Sequence, residues 1–177
     1  MAVAAPLLFE LLSEIDNKNA SGEYYLTDIV AKAVAHGAVC KVVRCTESET
    51  LGVNSRVDLA QAEYEFQSQR RAEALKNGVT MPAPETVYFS FDTYIGRDAI
   101  VEQNVVFGPG VTVESGVRIC AFSHLEGAHV SRGCVVGPYA RLRPGAELAE
   151  DVKIGNFVEI KASLLAEGAK VNHLSYI

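Results

Sequence analysis

From Tyr94 to Ile177 an aliphatic or aromatic residue returns at nearly every sixth position, and this restricts the fold more than any other feature of the chain. Ile95, Val101, Phe107, Val113, Ile119 and Leu125 keep the spacing. After one five-residue step it resumes at Val130, Val136, Leu142, Leu148, Ile154 and Ile160, and a second such step leads to Leu165, Val171 and Ile177. The fourth residue after most of these anchors is small or β-branched, as at Ala99, Val105, Val111, Val117, Ser123, Ala140, Ala146, Val158, Ala169 and Ser175. A period of six fits neither a helix nor an alternating strand. It fits a solenoid of short strands whose inward side chains stack from coil to coil, three units to a triangular coil and roughly four and a half coils in all. Gly108, Gly110, Gly116, Gly127, Gly133, Gly137, Gly145, Gly155 and Gly168 fall between strand cores and are expected to supply positive φ at the turns. Pro109, Pro138 and Pro144 lie near turns as well, away from ladder positions.

The preceding half reads differently. Leu7, Leu8, Leu11, Leu12 and Ile15 predict an amphipathic helix over 4–15. Thr27 is expected to cap a second short helix with Ile29, Val30, Ala33 and Val34 on its buried face, stopped by Gly37. Residues 39–45 predict a strand. One strand and two helices cannot close a core, so residues 1–54 read as the C-terminal remnant of an α/β domain, with Leu8, Leu12 and Ile29 short of packing partners. Ser55 with Asp58 resembles a capping box opening a long helix over 56–76, ended by Asn77-Gly78. Its narrow apolar stripe suits a linker helix, 55–78, better than a core element. Residues 79–94 are expected to be a connector with irregular first strands, and 95–177 the solenoid.

Composition narrows the function classes. A 49% hydrophobic chain of 177 residues with net charge −6 is globular rather than disordered, and its acidic balance argues against a nucleic-acid partner. No apolar run approaches membrane-spanning length, and the apolar start lacks a basic flank, so neither a membrane span nor a signal peptide is expected. Cys40, Cys45, Cys120 and Cys134 show no metal-site spacing and read as buried free thiols of a cytoplasmic protein.

The polar residues of interest crowd the last coils. Arg141 and Arg143 flank the inward anchor Leu142, and Lys161 follows Ile160, so all three point outward. With a coil of 17 or 18 residues, Arg143 and Lys161 are expected to stack one coil apart as a seat for a phosphate or sulfate. His173 falls one or two faces beyond Lys161, with Tyr176 on the following turn.

The stretches GPYARLRPGAEL (137–148), IGNFVEIK (154–161) and NHLSYI (172–177) resemble the acetyltransferase domain of the bifunctional bacterial GlmU family. NKNASGEYYLTDIV (17–30) and LGVNSR (51–56) resemble the end of that family's uridyltransferase domain and its exit into a linker helix. The resemblance covers essentially the whole chain in order. It implies a left-handed parallel β-helix, a hexapeptide-repeat solenoid, preceded by a long linker helix and the end of an α/β nucleotidyltransferase domain. It implies a homotrimer with active sites between neighbouring β-helices. The implied reaction moves an acetyl group from acetyl-CoA to the 2-amino group of glucosamine 1-phosphate. The family's other half makes UDP-N-acetylglucosamine from UTP and N-acetylglucosamine 1-phosphate with Mg²⁺.

By matching motif, His173 would be the general base, an imidazole with a reference pKa of about 6.5. Arg143 and Lys161 would hold the sugar phosphate, Tyr176 would contact the sugar, and Asn54 would match an asparagine ligand of Mg²⁺. The family's glycine-rich nucleotide loop and aspartate metal ligand have no match here, nor do the later coils that bind acetyl-CoA. The resemblance therefore implies an internal fragment, weak or inactive alone. Two alternatives are another hexapeptide acyltransferase and a non-catalytic β-helix serving trimerisation or interaction.

Overall fold

The computed structural model describes all of residues 1–177 and divides into two compact units, Met1–Thr50 and Leu51–Ile177. In the first unit, helix α1 (Ala5–Ser13) carries Pro6 in its first turn, where a missing N–H costs nothing. It packs on helix α2 (Ile29–Ala35) through Leu11, Ile29 and Ala33, with Leu7, Leu8 and Ile15 around them. Ile29 is therefore buried, contrary to the expectation that it lacks partners; Leu12 does stay partly exposed. Thr27 does not cap α2. It lies inside a 3₁₀ turn (Leu26–Asp28) that runs straight into the helix, so the extended residue is Tyr25. Asp28, with φ −66° and ψ −19°, is already helical and makes no side-chain cap bond. Gly37 ends α2 in a Schellman motif, with φ 76° and the Ala38 N–H on the Ala33 oxygen.

The strand expected over 39–45 does not form. No neighbouring strand offers it a ladder, and Val39, Val42 and Val43 are left more than four-fifths exposed. Cys40 and Cys45 lie on this run and are exposed free thiols, which corrects the reading of all four cysteines as buried. Cys134 is the buried one, and burial pushes its thiol up to about 11, so it packs as an apolar side chain.

The second unit opens with helix α3 (Arg56–Lys76), whose Ser55 and Asp58 form the expected reciprocal capping box. Gly78, at φ 92°, and Val79 close α3 with another Schellman motif and turn the chain into the first coil. α3 does more than connect. Its buried Gln67 gives Nε2–H to the Phe89 oxygen at 2.7 Å and takes the Phe89 N–H at 2.9 Å, acting as one rung of a ladder. Arg71 Nε donates to the Val87 oxygen, and an Arg70 guanidinium nitrogen donates to the Thr93 oxygen. A polar helix thus covers the open edge of the first coil by satisfying its backbone.

The solenoid is a triangular parallel β-helix. Its first face holds Tyr94–Ile95, Thr112–Val113, Ala128–Val130, Ala146–Leu148 and Leu164–Leu165. The second holds Ile100–Val101, Arg118–Ile119, Val135–Val136, Lys153–Asn156 and Lys170–His173. The third holds Val106–Phe107, His124–Leu125, Arg141–Leu142 and Glu159–Ile160. All pairs are parallel, each coil hydrogen-bonded to the next. Tyr94 pairs with Thr112, and Thr112 with His129, so coils of eighteen and seventeen residues alternate, as the two five-residue steps require.

The anchors from Val101 to Ile160 are almost wholly buried and form one continuous core with Val105, Val111, Val117 and Val158. Gly110, Gly116, Gly133, Gly145 and Gly168 do take positive φ. Gly108 and Gly155 do not, a correction with a different cause: they sit where the next coil comes close. A Cβ on Gly155 would overlap the Asn172 carbonyl oxygen.

Two stability measurements follow. Gly155→Ala forces Asn172 and its coil to move, and denaturant unfolding is expected to show a loss of roughly 2–3 kcal/mol; an unchanged midpoint would refute the close packing. Gln67→Leu leaves an N–H and a C=O of Phe89 unpaired and is expected to cost roughly 2–4 kcal/mol. If the variant matched the parent, α3 would not be covering the coil edge.

Candidate active site

The third face carries an outward column in register, one residue per coil: Val106, His124, Arg141, Glu159 and Tyr176. Two residues further along the same strands, the ladder continues with Arg143 N–H on the Ile160 oxygen and Lys161 N–H on the Ile177 oxygen. Lys161 therefore stacks on Arg143 in adjacent coils. Alternation of the strand sends both side chains outward from the buried Leu142 and Ile160.

Arg143 donates from Nη1 to Glu159 Oε1 at 2.8 Å, each side chain about one-third exposed (35% and 34%). That ion pair holds the guanidinium through one of its nitrogens, on the strand next to the one that carries Lys161. Arg141 turns the other way, its Nη1 lying 3.1 Å from His124 Nδ1. Partial burial, and then the Arg141 charge, hold the His124 pKa below its usual 6.5, against an opposing pull from Glu126. His124 is neutral at pH 7, and the hydrogen bond assigns its proton to Nε2.

The predicted residues fall into three groups. Arg143, Lys161 and Tyr176 come together on the third face, with Tyr176 bridged to Glu159. His173 ends the strand Lys170–His173, beside Asn156, at the corner where the second face turns into the third. Within one chain it is the width of the third face away from Lys161. Its ring is exposed, and its carbonyl accepts the Ser175 hydroxyl at 3.0 Å.

Asn54 stands apart, ahead of α3, its N–H donating to Asp58 Oδ2 at 3.0 Å. Asp58 is the carboxylate within reach, and its Oδ2 also accepts the Ser55 N–H, which together hold its pKa low. No set of three acidic, histidine or cysteine side chains converges here or elsewhere. An octahedral oxygen site for Mg²⁺ does not fit the residues present, and no step through the metal is derived.

Glu159 and the His124–Arg141 pair are the members that motif reading missed. Counting coils would have exposed them, because Arg141 plus one eighteen-residue coil is Glu159, and Arg141 minus one of seventeen is His124.

No family model matches the chain. Curated relatives do: the bifunctional protein GlmU of Ruegeria sp. (strain TM1040) is 66% identical over 177 residues, 100% of this chain and 39% of the relative. That of Roseobacter denitrificans is 64% identical over 170 residues, 96% of this chain and 38% of the relative. That of Jannaschia sp. (strain CCS1) is 60% identical over 173 residues, 98% and 38%. The chain therefore spans about two-fifths of the length of the relatives it matches. Among solved structures, the acetyltransferase domain of PglB from Neisseria gonorrhoeae FA1090 aligns over 59% of this chain and 58% of that one. Its 22% identity and TM-score of 0.37 are too low to carry an argument. Those matches extend over the α-helical unit, α3 and the solenoid alike, and on that ground the chain belongs to the GlmU family of bifunctional proteins.

Proposed function

We propose that the chain supplies the acetyl-acceptor part of a glucosamine-1-phosphate acetyltransferase site. The observation that carries this reading is the stacking of Lys161 on Arg143 beside Tyr176, on the third face of a rigid β-helix. The Arg143 fork, held by Glu159, and the Lys161 ammonium together suit the oxygens of a sugar phosphate. The Tyr176 ring offers a flat edge for the sugar. Family membership supports acetyl-CoA as the donor.

In the reaction, the 2-amino nitrogen forms a bond to the thioester carbon, and the carbon–sulfur bond breaks. His173 takes the amine proton as general base, and coenzyme A leaves as the thiolate. The imidazole stands at an exposed corner and is accessible for that transfer. Its separation from Lys161 within one chain favours a homotrimer, in which the corner of one β-helix meets the third face of its neighbour.

The domain reading follows the same line: 1–54 as part of an α/β uridyltransferase domain, 55–78 as its exit helix, 79–94 as the entry and 95–177 as the acetyltransferase β-helix. UTP, N-acetylglucosamine 1-phosphate and Mg²⁺ belong to the first of these, towards which this chain offers Asn54. A cytoplasmic location accords with the exposed free thiols and with the absence of any helix long and apolar enough to cross a membrane.

Calorimetric titration with glucosamine 1-phosphate tests the seat. Lys161→Ala is expected to weaken binding roughly tenfold or more, and Arg143→Lys also to weaken it, because the fork on Glu159 is lost. Affinity indifferent to both variants would sink the reading. Light scattering tests the assembly: three times the mass of the chain is expected, and a monomer at all concentrations would rule out a site shared between subunits.

A further inference from the structure

Arg141 stands directly opposite Glu159 in the register of the third face, so the side chain beside it on the following coil is a carboxylate. Yet Glu159 pairs with Arg143 at 2.8 Å, and Arg141 reaches into the preceding coil to His124 Nδ1 at 3.1 Å. An arginine cannot be deprotonated to accept, so the acceptor in that contact is the imidazole nitrogen. His124 faces Arg141 on one neighbouring strand and the apolar Val106 on the other, with Glu126 on its own strand. Nothing else in this column competes for Arg141.

We propose that His124 is a positioning residue: by capturing Arg141 it leaves Glu159 to Arg143, and so sets the orientation of the phosphate seat. The consequence for binding rests on the reading of Arg143 and Lys161 as that seat; the division of the two arginines does not. Without an acceptor at 124, Arg141 turns to its register partner Glu159, and Arg143 loses its undivided hold on that carboxylate. Protonating His124 has the same effect, because two cations then face each other. Its folded pKa lies below 6.5, so the arrangement is complete above about 6.5 and is lost as the pH falls through the folded value.

Four variants of the full chain separate a positioning role from a merely structural one: His124→Leu, His124→Gln, Arg141→Ala, and His124→Leu with Arg141→Ala. Glutamine keeps a hydrogen-bond acceptor but cannot take a proton. The first readout needs no ligand: the NMR signals of the Arg143 guanidinium, whose rotation is slow while it is paired. Slow rotation is expected in the parent, His124→Gln, Arg141→Ala and the double variant, and fast rotation in His124→Leu alone. On acidification the parent should change to fast rotation while His124→Gln does not.

The second readout is affinity for glucosamine 1-phosphate, expected to fall roughly fivefold in His124→Leu and to return in the double variant. Rescue by deleting Arg141 is the outcome that a loss of packing at 124 cannot produce. The rotation pattern without the affinity pattern would refute the phosphate seat and leave the division of the arginines standing. Slow rotation in His124→Leu would overturn the inference, whatever the affinities.

Discussion

Backbone hydrogen bonds in this solenoid run from coil to coil, and everything else depends on that. Each strand is two to four residues long and has no partner within its own coil. A coil must therefore bring every residue back beneath its counterpart after seventeen or eighteen positions, or a whole ladder is lost. The two five-residue steps are tolerated because they fall at the same corner, after Leu125 and after Ile160, where one residue can leave the turn without disturbing a strand. Register converts sequence into columns. An inward column becomes the core, from Val101 through Ile119, Val136 and Ile154. An outward column becomes a line of side chains one strand spacing apart.

Corners make the constraint visible. Positive φ recurs at Asp98, Asn104, Gly110, Gly116 and onward, at one corner position in each unit, with Gly137 an additional case just ahead of Tyr139. Two corners fill this position mainly with glycine or aspartate, which adopt it cheaply. The corner between the second and third faces instead carries Phe122, Tyr139, Phe157 and Leu174. Left-handed backbone at such residues costs on the order of 1–2 kcal/mol each. The rings of Phe122, Tyr139 and Phe157 stack in a ladder, with centroids 4.9 and 5.3 Å apart and the first pair inclined by only 3°. Aromatic stacking contributes roughly 0.5–1.5 kcal/mol per pair, so the column offsets part of its own strain. Glycine would relieve that strain but leave the corner without side chains. The stack instead leads directly to the third-face column, since Tyr139 precedes Arg141, and Phe157 precedes Glu159, by two residues.

How much of this was legible depended on whether the physics was periodic. Six-residue spacing announced the core, the coil length and the stacking of Lys161 on Arg143, because each follows from counting. It also held two members that a search for small residues passed over, Cys134 and Val152, both fully buried at the fourth position after an anchor. The capping box at Ser55 and the stop at Gly78 were legible because helix ends are local chemistry. Gln67 was not: in a helix of low apolar content a glutamine looks like solvated surface, and only the coil it meets, twenty-two residues on, shows that it is a backbone partner. Residues 39–45 failed for the opposite reason. Their β-branched composition is real, but a strand is a relation between two segments, and the second is not in this chain's fold.

Motif reading picked Arg143, Lys161, His173 and Tyr176 because each sits in a recognisable string, and it passed over the residues that decide how those side chains are held. Glu159 belongs to the same string as Lys161, yet its importance appears only when the coil length places it beside Arg143, sixteen residues earlier. His124 lies in no motif at all, and its chemistry follows from one neighbour, Arg141, a coil away. In a solenoid the environment of a side chain is thus set by residues at plus and minus one coil, more than by those adjacent in sequence. Three cations with the carboxylates of Glu126 and Glu159 on one face would be a poorly determined arrangement if each arginine were free to choose. An acceptor that is neutral at pH 7 removes one arginine from the competition without adding charge. That is a role which a further carboxylate, by weakening the pull of the proposed seat on a phosphate, would fill less well.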